Sequence, residues 1–276
     1  MERKISRLEQ AQPPMRGAPT HANRMVMAPD RFAEHSPFLM MAEDWFAPPA
    51  GFPTHPHRGM ETVTLVLEGQ MLHADHTGGQ GALGPGDVQW MTAGKGVMHS
   101  EMPGPEGVHS LQLWLNLPRA QKLAKARYQD QPLGQAKALD GAGWRMRLYA
   151  GRQGDAQAPH GSSYPMGLIT LQAEPGARVE LEIPSDERAF LYLVEGAATA
   201  GPDRLPLRAG QVAWLDPSGD GSSPDLFTLE ATAPVLAVLC SGRPIDEPVV
   251  AYGPFVMTSM DEIRQAFADY HSGEFV

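Results

Sequence analysis

Two short stretches of the sequence carry side chains that bind metal ions. Residues 55–57 read His-Pro-His, and residues 99–101 read His-Ser-Glu. In an extended segment, residues i and i+2 project to the same side, and Pro56 favours an extended conformation at His55. If the two segments face each other, three imidazole nitrogens and one carboxylate converge on one point. The pattern therefore predicts that His55, His57, His99 and Glu101 bind a metal ion.

This donor set indicates the kind of chemistry. Three neutral imidazoles and one carboxylate suit a first-row divalent ion and leave about two positions of an octahedral ion open. A catalytic metal needs open positions for a substrate or for dioxygen, whereas structural sites are usually closed. Either motif alone is weak evidence, because a His-x-His pair is more often part of a polar strand face. Their occurrence together indicates a metal site, and the open positions favour a catalytic metal over one that only stabilises the fold.

The elements that position these residues are predicted to be short strands. The 276 residues include 29 glycines and 26 prolines, which is typical of many strands joined by tight turns. Strand-length stretches rich in Val, Thr, Leu and Trp occur at Glu61–Glu68, Val88–Met91, Leu111–Leu117 and Trp144–Ala150. We therefore expect an all-β protein with a few short helices.

Two helices and an N-terminal arm are also predicted. Pro118–Arg127 begins with proline, which suits a first helical position, and a second helix is expected at about 260–271. Ser259 can cap the second helix, and Gly273 follows its end. Residues 1–36 are polar and rich in proline, so we expect an irregular arm with an early strand.

The sequence repeats itself weakly. The stretch Leu65–Gly69 resembles Leu191–Gly196, and Leu83–Met91 resembles Leu207–Leu215 in the same order along the chain. Repeated units at similar spacing indicate related domains. We expect residues 1–36 to lead into a first domain at 37–130 and residues 131–276 to form a second.

The second half offers few metal ligands. After Ser110 the only histidines are His160 and His271, and neither belongs to a His-x-His or His-x-Glu motif. We therefore expect a metal in the first domain only.

Composition excludes several classes of protein. The chain has 22 Lys and Arg against 32 Asp and Glu, a net charge of −10, whereas direct, nonspecific nucleic-acid binding needs a basic surface. One cysteine, Cys240, cannot build a disulfide framework. The first residues do not resemble a signal peptide, and no apolar run reaches the roughly 20 residues of a membrane span. We expect a cytoplasmic protein that does not contact a membrane.

Longer motifs carry a family resemblance. Residues 51–101 resemble the cupin pattern of an early His-x-His and a later Gly-x-x-His, the latter at Gly96–His99. More narrowly, the chain resembles the pirin family from about Pro37 to Tyr270. The stretches that carry this resemblance are residues 55–64, 86–94, 99–102, 111–117, 247–250 and 253–257.

The resemblance implies a fold and a cofactor. It implies two cupin β-barrels face to face, with one metal, usually Fe(II), in the N-terminal barrel. The family's ligands correspond to His55, His57, His99 and Glu101, the four residues that the spacing also selects. Ordinary cupins use a glutamate near Glu61 as a ligand, and here we interpret Glu61 as structural. The residue types alone equally permit Ni, Cu, Co, Mn or Zn.

The resemblance also implies two alternative functions. One is quercetin 2,3-dioxygenase activity on a flavonol-like aromatic substrate and O2, with Glu101 as general base and Met60, Met98 and Gln112 lining the pocket. The family position that matches Met60 is often phenylalanine, so the shape of this pocket differs here. The other is an iron- and redox-sensing regulator that binds a transcription factor or a metabolic enzyme, a partner that the sequence does not identify.

Overall fold

The computed structural model describes residues 1–159 and 161–276, so His160 lies outside the described residues. The fold is all-β, as predicted. The strands of the first half are β1 (Arg7–Gln10), β2 (Met15–Ala18), β3 (His21–Met27), β4 (Phe38–Phe46), β5 (Phe52–His57), β6 (Met60–Asp75), β7 (Gln80–Leu83), β8 (Val88–Thr92), β9 (Val97–Asn116) and β10 (Arg127–Gln131).

The remaining strands follow in chain order. They are β11 (Lys137–Gly141), β12 (Trp144–Ala150), β13 (Arg152–Gln153), β14 (Ala156–Gln157), β15 (Met166–Ala173), β16 (Arg178–Pro184), β17 (Arg188–Glu195), β18 (Ala197–Ala200), β19 (Leu205–Arg208), β20 (Gln211–Leu215), β21 (Pro224–Ala231), β22 (Val235–Gly242), β23 (Val250–Tyr252) and β24 (Phe255–Met257). The helices are α1 (Phe32–His35) and α2 (Met260–Ser272), with 3₁₀ turns at Arg119–Gln121 and Leu133–Gln135.

The chain forms two compact units, each assembled from separate stretches of sequence. The first unit comprises residues 13–133, 162–164 and 245–276. Its main sheet has the order β10-β8-β6-β9-β4-β3-β2, while β5 pairs with β9 and β7 pairs with β6. The long strands β6 and β9 pair along most of their length. The second histidine motif lies on β9, and the first lies on β5, which pairs with β9.

The second unit comprises residues 1–12, 134–161 and 165–244. It combines a sheet of order β1-β20-β17-β22-β15-β12-β11 with a sheet of order β16-β21-β18-β19. Its core is apolar, with Leu148, Leu181, Leu191 and Phe227 among the buried side chains. Apolar side chains fill this core.

The division into units differs from the linear boundaries expected from the sequence. Residues 1–12 belong to the second unit, where β1 pairs with β20 and buried Arg3 donates a hydrogen bond to the carbonyl of Asp216. Residues 245–276 belong to the first unit, where Arg58 donates to the carboxylate of Asp269. Hydrogen bonds between residues distant in sequence place the two termini in these units. A local sequence pattern contains no information about such bonds.

The repeated sequences adopt matching local structures. In the first unit the amide of Gly86 donates to the carbonyl of Val66 at 2.8 Å, and in the second unit Gly210 donates to Leu193 at 2.8 Å. Both donors have positive φ, 81° in each case, a conformation that glycine adopts without strain. The turn that precedes β8 is thus built in the same way as the turn that precedes β20.

The two helix predictions had opposite outcomes. The C-terminal helix is confirmed: the Ser259 side chain accepts a hydrogen bond from the amide of Glu262, and Gly273 ends the helix in the left-handed region. The helix predicted at Pro118–Arg127 is wrong. Only a 3₁₀ turn forms there, because the buried ammonium of Lys122 donates to carbonyls of Gly59 and Val256 and Arg127 already pairs in the sheet.

None of the described helices is sufficiently long and apolar to cross a membrane.

A pair of glycine variants tests the packing of the second unit. A Cβ atom at Gly196 would clash with the carbonyl oxygen of Pro234, whereas a Cβ atom at Gly176 would meet nothing within 4 Å. Both residues have similar positive φ, 87° and 84°. Gly176→Ala should therefore lower the free energy of unfolding by about 1 kcal/mol through backbone strain alone, and Gly196→Ala by about 3 kcal/mol.

Urea unfolding of the two variants measures both losses. Equal losses would show that the backbone at Gly196 moves away from Pro234 without difficulty, contrary to this expectation.

Candidate metal centre

Pairing of β5 with β9 brings the two histidine motifs together. His55 lies directly opposite His99 in the antiparallel ladder, and His57 is two residues farther along β5. The ring centroids are 4.4 Å apart for His55 and His99 and 5.1 Å apart for His57 and His99. One nitrogen of each ring lies within 4.8 Å of one nitrogen of each of the others. The predicted convergence of three imidazoles is present.

The three rings fit a divalent metal ion. Nε2 of His55 is 3.0 Å from Nε2 of His57, and both ring nitrogens of His99 are buried without a hydrogen-bond partner in residues 1–159 and 161–276. Burial, with the neighbouring histidines acting in the same direction, lowers the pKa of His99 to about 3 and holds that of His57 well below its usual range. The rings of His57 and His99 are therefore neutral near pH 7, the form in which imidazole binds metals.

Glu101 lies two residues after His99 on β9. Its side chain is buried and accepts hydrogen bonds from Nε2 of Gln112, at 2.9 and 2.8 Å, and from Oγ1 of Thr64 at 3.2 Å. Burial raises the pKa of Glu101, against the opposing effects of Gln112, His55 and Thr64. Among the described residues, the 4.8 Å group contains the three histidines and not Glu101. Glu101 as fourth ligand and general base stays a prediction.

Gln112 orients the Glu101 carboxylate. Nε1 of Trp114 donates to Oε1 of Gln112 at 3.1 Å, which directs the amide nitrogen of Gln112 toward Glu101. The Trp114 ring also lies against His57, at 5.1 Å between centroids. Sequence reasoning missed Thr64 and Trp114. Strand alternation places Trp114 on the same side as Gln112, and that is the one sequence signal that pointed to it.

Met60 and Met98, predicted to line the pocket, lie in apolar clusters. Met60 is fully buried with Leu39 and Val256. Met98 packs partly buried against the cluster that contains Phe255. A role for either side chain in binding substrate stays a prediction.

Glu61 makes structural hydrogen bonds. Its fully buried carboxylate accepts from Oγ1 of Thr92 at 2.7 Å and from the amide of Ser163 at 3.0 Å. Burial raises the pKa of Glu61, although these two hydrogen bonds oppose the shift. The carboxylate therefore joins the short segment 162–164 to the first unit.

Arg58 connects the strands that carry the histidines to the C-terminal helix. It follows His57 directly, and its guanidinium donates to the carbonyl of Lys95, just before β9, and to Asp269 on α2 at 2.6 Å. The guanidinium also lies over the ring of Phe275 at 4.5 Å. The end of β5 and the start of β9 are thus fixed to the same side chain.

The second unit has no comparable group within the described part of the chain. His271 lies on α2 in the first unit, and His160 is not among the described residues. A metal in the first domain only stays a prediction.

Family comparisons agree with this geometry. Residues 16–115 match the family described as Pirin, and residues 168–276 match the Pirin C-terminal cupin domain. Among curated proteins, Pirin-like protein 2 of Arabidopsis thaliana is 40% identical over 242 residues, covering 86% of this chain and 75% of that protein. A Pseudomonas aeruginosa protein with the provisional name quercetin 2,3-dioxygenase is 38% identical and covers 98% and 97% of the two chains.

A solved structure extends the similarity to the fold of the whole chain. The crystal structure of quercetin 2,3-dioxygenase from Acinetobacter baumannii is 30% identical, with a TM-score of 0.90 over 100% of this chain and 99% of that chain. The two family matches together span most of the sequence, and the relatives are 30–40% identical. Both findings assign the chain to the same family. The chain belongs to the pirin family, and its two units contain cupin domains.

Proposed function

We propose that this protein is a metal-dependent dioxygenase that opens the ring of a flavonol such as quercetin. The observation that carries the proposal is the group of three converging histidines, His57 and His99 of them buried, beside the buried carboxylate of Glu101. The names of the Pseudomonas and Acinetobacter relatives support the same substrate class. The proposed reaction consumes one O2 and releases one carbon monoxide for each ring opened.

His55, His57 and His99 would hold the metal, with Glu101 as the proposed fourth ligand. We propose Fe(II), and the donor set also suits Ni, Cu, Co, Mn or Zn. When bound, the metal supplies a Lewis-acid centre for the 3-hydroxyl and 4-carbonyl oxygens of the flavonol and a site for dioxygen.

Glu101 would remove the proton of the 3-hydroxyl, a role that requires its bond to the metal to be labile. Its carboxylate has a pKa raised by burial, so it holds a proton more readily than an exposed glutamate does. A raised pKa that lies nearer to neutral pH improves a general base. Gln112 and Thr64 hold the carboxylate in place during the transfer. The proton then resides on Glu101 while the electron-rich ring reacts.

Loss of one histidine ligand tests the metal site. Protein purified without added metal should contain one metal ion per chain by mass spectrometry and should consume O2 when quercetin is added. His99→Ala should lose both properties, because two imidazoles no longer hold the ion. His271→Ala, at an exposed position of α2, is the control and should keep both. Bound metal without O2 uptake would contradict the dioxygenase and favour the regulator.

Glu101→Gln tests the general base. The amide cannot accept the proton, so kcat should fall by roughly 10²- to 10⁴-fold. Glu61→Gln is the matched control, since it neutralises another buried carboxylate of the same unit that makes only structural hydrogen bonds, and its kcat should be unchanged. Near-normal turnover by metal-loaded Glu101→Gln would exclude Glu101 as the base.

Gln112→Leu tests whether Glu101 also binds the metal. This change removes both amide hydrogen bonds to Glu101 and should weaken metal binding about 10- to 100-fold, as expected when the support of a ligand is lost. Thr64→Val removes the 3.2 Å bond to Glu101 and the 3.4 Å bond that Thr64 accepts from Gln112, but it leaves both amide hydrogen bonds to Glu101 and should have a smaller effect. Competition with a chelator measures both affinities, and an unchanged affinity in Gln112→Leu would argue that Glu101 is not a ligand.

A further inference from the structure

A second polar group lies inside the first unit next to Glu101. His73 on β6 is directly opposite Glu101 on β9. Gln89 on β8 is opposite Thr64 on one side and Asp130 on the other. Because directly paired residues share a face of a sheet, Gln89 and Asp130 lie on the same side as Thr64, which contacts Glu101.

Tyr128 belongs to the same side of the sheet. It precedes Asp130 by two residues on β10, and alternate residues of a strand point to the same face. Its ring lies parallel to the ring of His73, with 5.8 Å between centroids and 10° between planes. The phenol and the imidazole therefore form one stacked pair at the edge of the polar interior.

Hydrogen bonds fix the orientation of this pair. Nε2 of His73 lies 3.1 Å from Oδ2 of Asp130, and Oδ1 of Asp130 accepts from Nε2 of Gln89 at 2.8 Å. Gly81 makes room for the arrangement, since a Cβ atom there would clash with both the His73 ring and the Asp130 carboxylate. Because Nε2 faces Asp130, Nδ1 is the ring nitrogen of His73 that is left for another partner.

Two polar atoms of the pair have no partner. Nδ1 of His73 and Oη of Tyr128 are buried and make no hydrogen bond among the described residues. Burial raises the pKa of Tyr128, and the nearby carboxylates of Asp75 and Glu101 raise it further. The hydroxyl therefore stays protonated and can donate. Buried polar atoms are almost always satisfied in folded proteins, so these two atoms call for a bound group.

We propose that Tyr128 and His73 form a subsite that binds one hydroxyl group of an aromatic substrate at the metal centre. The oxygen of that hydroxyl accepts from Oη of Tyr128, and its hydrogen is donated to Nδ1 of His73. The inference rests on the proposed function, because it takes the substrate to be a hydroxylated aromatic. An analogue that lacks the hydroxyl leaves both buried atoms unpaired, and sites of this type discriminate strongly against such analogues.

Kinetics with a series of flavonols test the subsite. Quercetin is compared with analogues that each lack a single ring hydroxyl. Wild type should prefer quercetin to one of these analogues by about tenfold or more in kcat/KM, the value of a buried hydrogen bond. Tyr128→Phe should abolish this one preference and leave the others unchanged, whereas a structural defect would lower every value alike. Tyr252→Phe, at an exposed position, is the control and should behave as wild type.

A second variant, His73→Leu, tests the subsite independently of any loss of structure in Tyr128→Phe. His73→Leu removes the acceptor and should abolish the same preference. Metal content and circular dichroism verify that each variant is folded and loaded. Preferences that remain as in wild type in both variants would overturn the proposal.

Anaerobic binding of pyrogallol, which keeps its third hydroxyl free when the other two chelate iron, separates this proposal from the dioxygenase. The probe changes colour when it binds iron and needs no turnover. If wild type does not consume quercetin but Tyr128→Phe binds the probe about three- to tenfold more weakly, the proposed function fails and the subsite stands. Absence of binding to wild type, equal binding by both proteins, or a crystal structure of the complex with only an ordered water on Tyr128 and His73 would overturn the subsite.

Discussion

The antiparallel pairing of β5 with β9 is the interaction on which the site depends. This ladder sets His55 against His99 and, through the two-residue period of both strands, places His57 and Glu101 on the same side. The pairing has an energetic consequence, because it buries imidazole nitrogens of His57 and His99 that have no hydrogen-bond partner among the described residues. The same burial lowers the pKa values of His99 and His57, because it disfavours the charged form of each ring. A metal ion would satisfy these nitrogens, so stability and metal binding are linked here.

The two units share a scaffold but have different interiors, one apolar and one polar. Equivalent turns at Gly86 and Gly210 indicate that the scaffold is shared, yet the interiors differ. The second unit fills its core with aliphatic and aromatic side chains, which need no ligand. The first unit places a glutamate, glutamines, threonines and histidines toward the same space. Thr64 and Gln112 donate hydrogen bonds to Glu101, and His73 and Gln89 hydrogen-bond to Asp130. A polar interior of this kind is stable only when its polar groups have hydrogen-bond partners. Polar atoms without a partner among the described residues, such as Nδ1 of His73 and Oη of Tyr128, therefore indicate where a ligand binds.

The C-terminal segment completes the site from a distance. Arg58 contacts the start of β9 and α2 at once, and Lys122 donates to the carbonyls of Gly59 and Val256. Both cations are buried or nearly so, and buried charges are tolerated when several oxygens surround them. Histidine geometry at the end of β5 therefore depends on residues more than 150 positions away in the sequence. This dependence accounts for the membership of residues 245–276 in the first unit.

Local sequence patterns were sufficient for much of this protein. The two-residue period placed three histidines on one side, turn glycines marked the repeated units, and Ser259 and Gly273 marked the ends of α2, because each of these effects acts over a few residues. Other features required the tertiary structure. The Gln112 amide on Glu101, the stack of Tyr128 on His73 and the turn in place of a helix after Pro118 all arise where strands distant in sequence meet. Sequence periodicity specifies which face of a strand a side chain occupies, but only the register between strands specifies which partner it finds there.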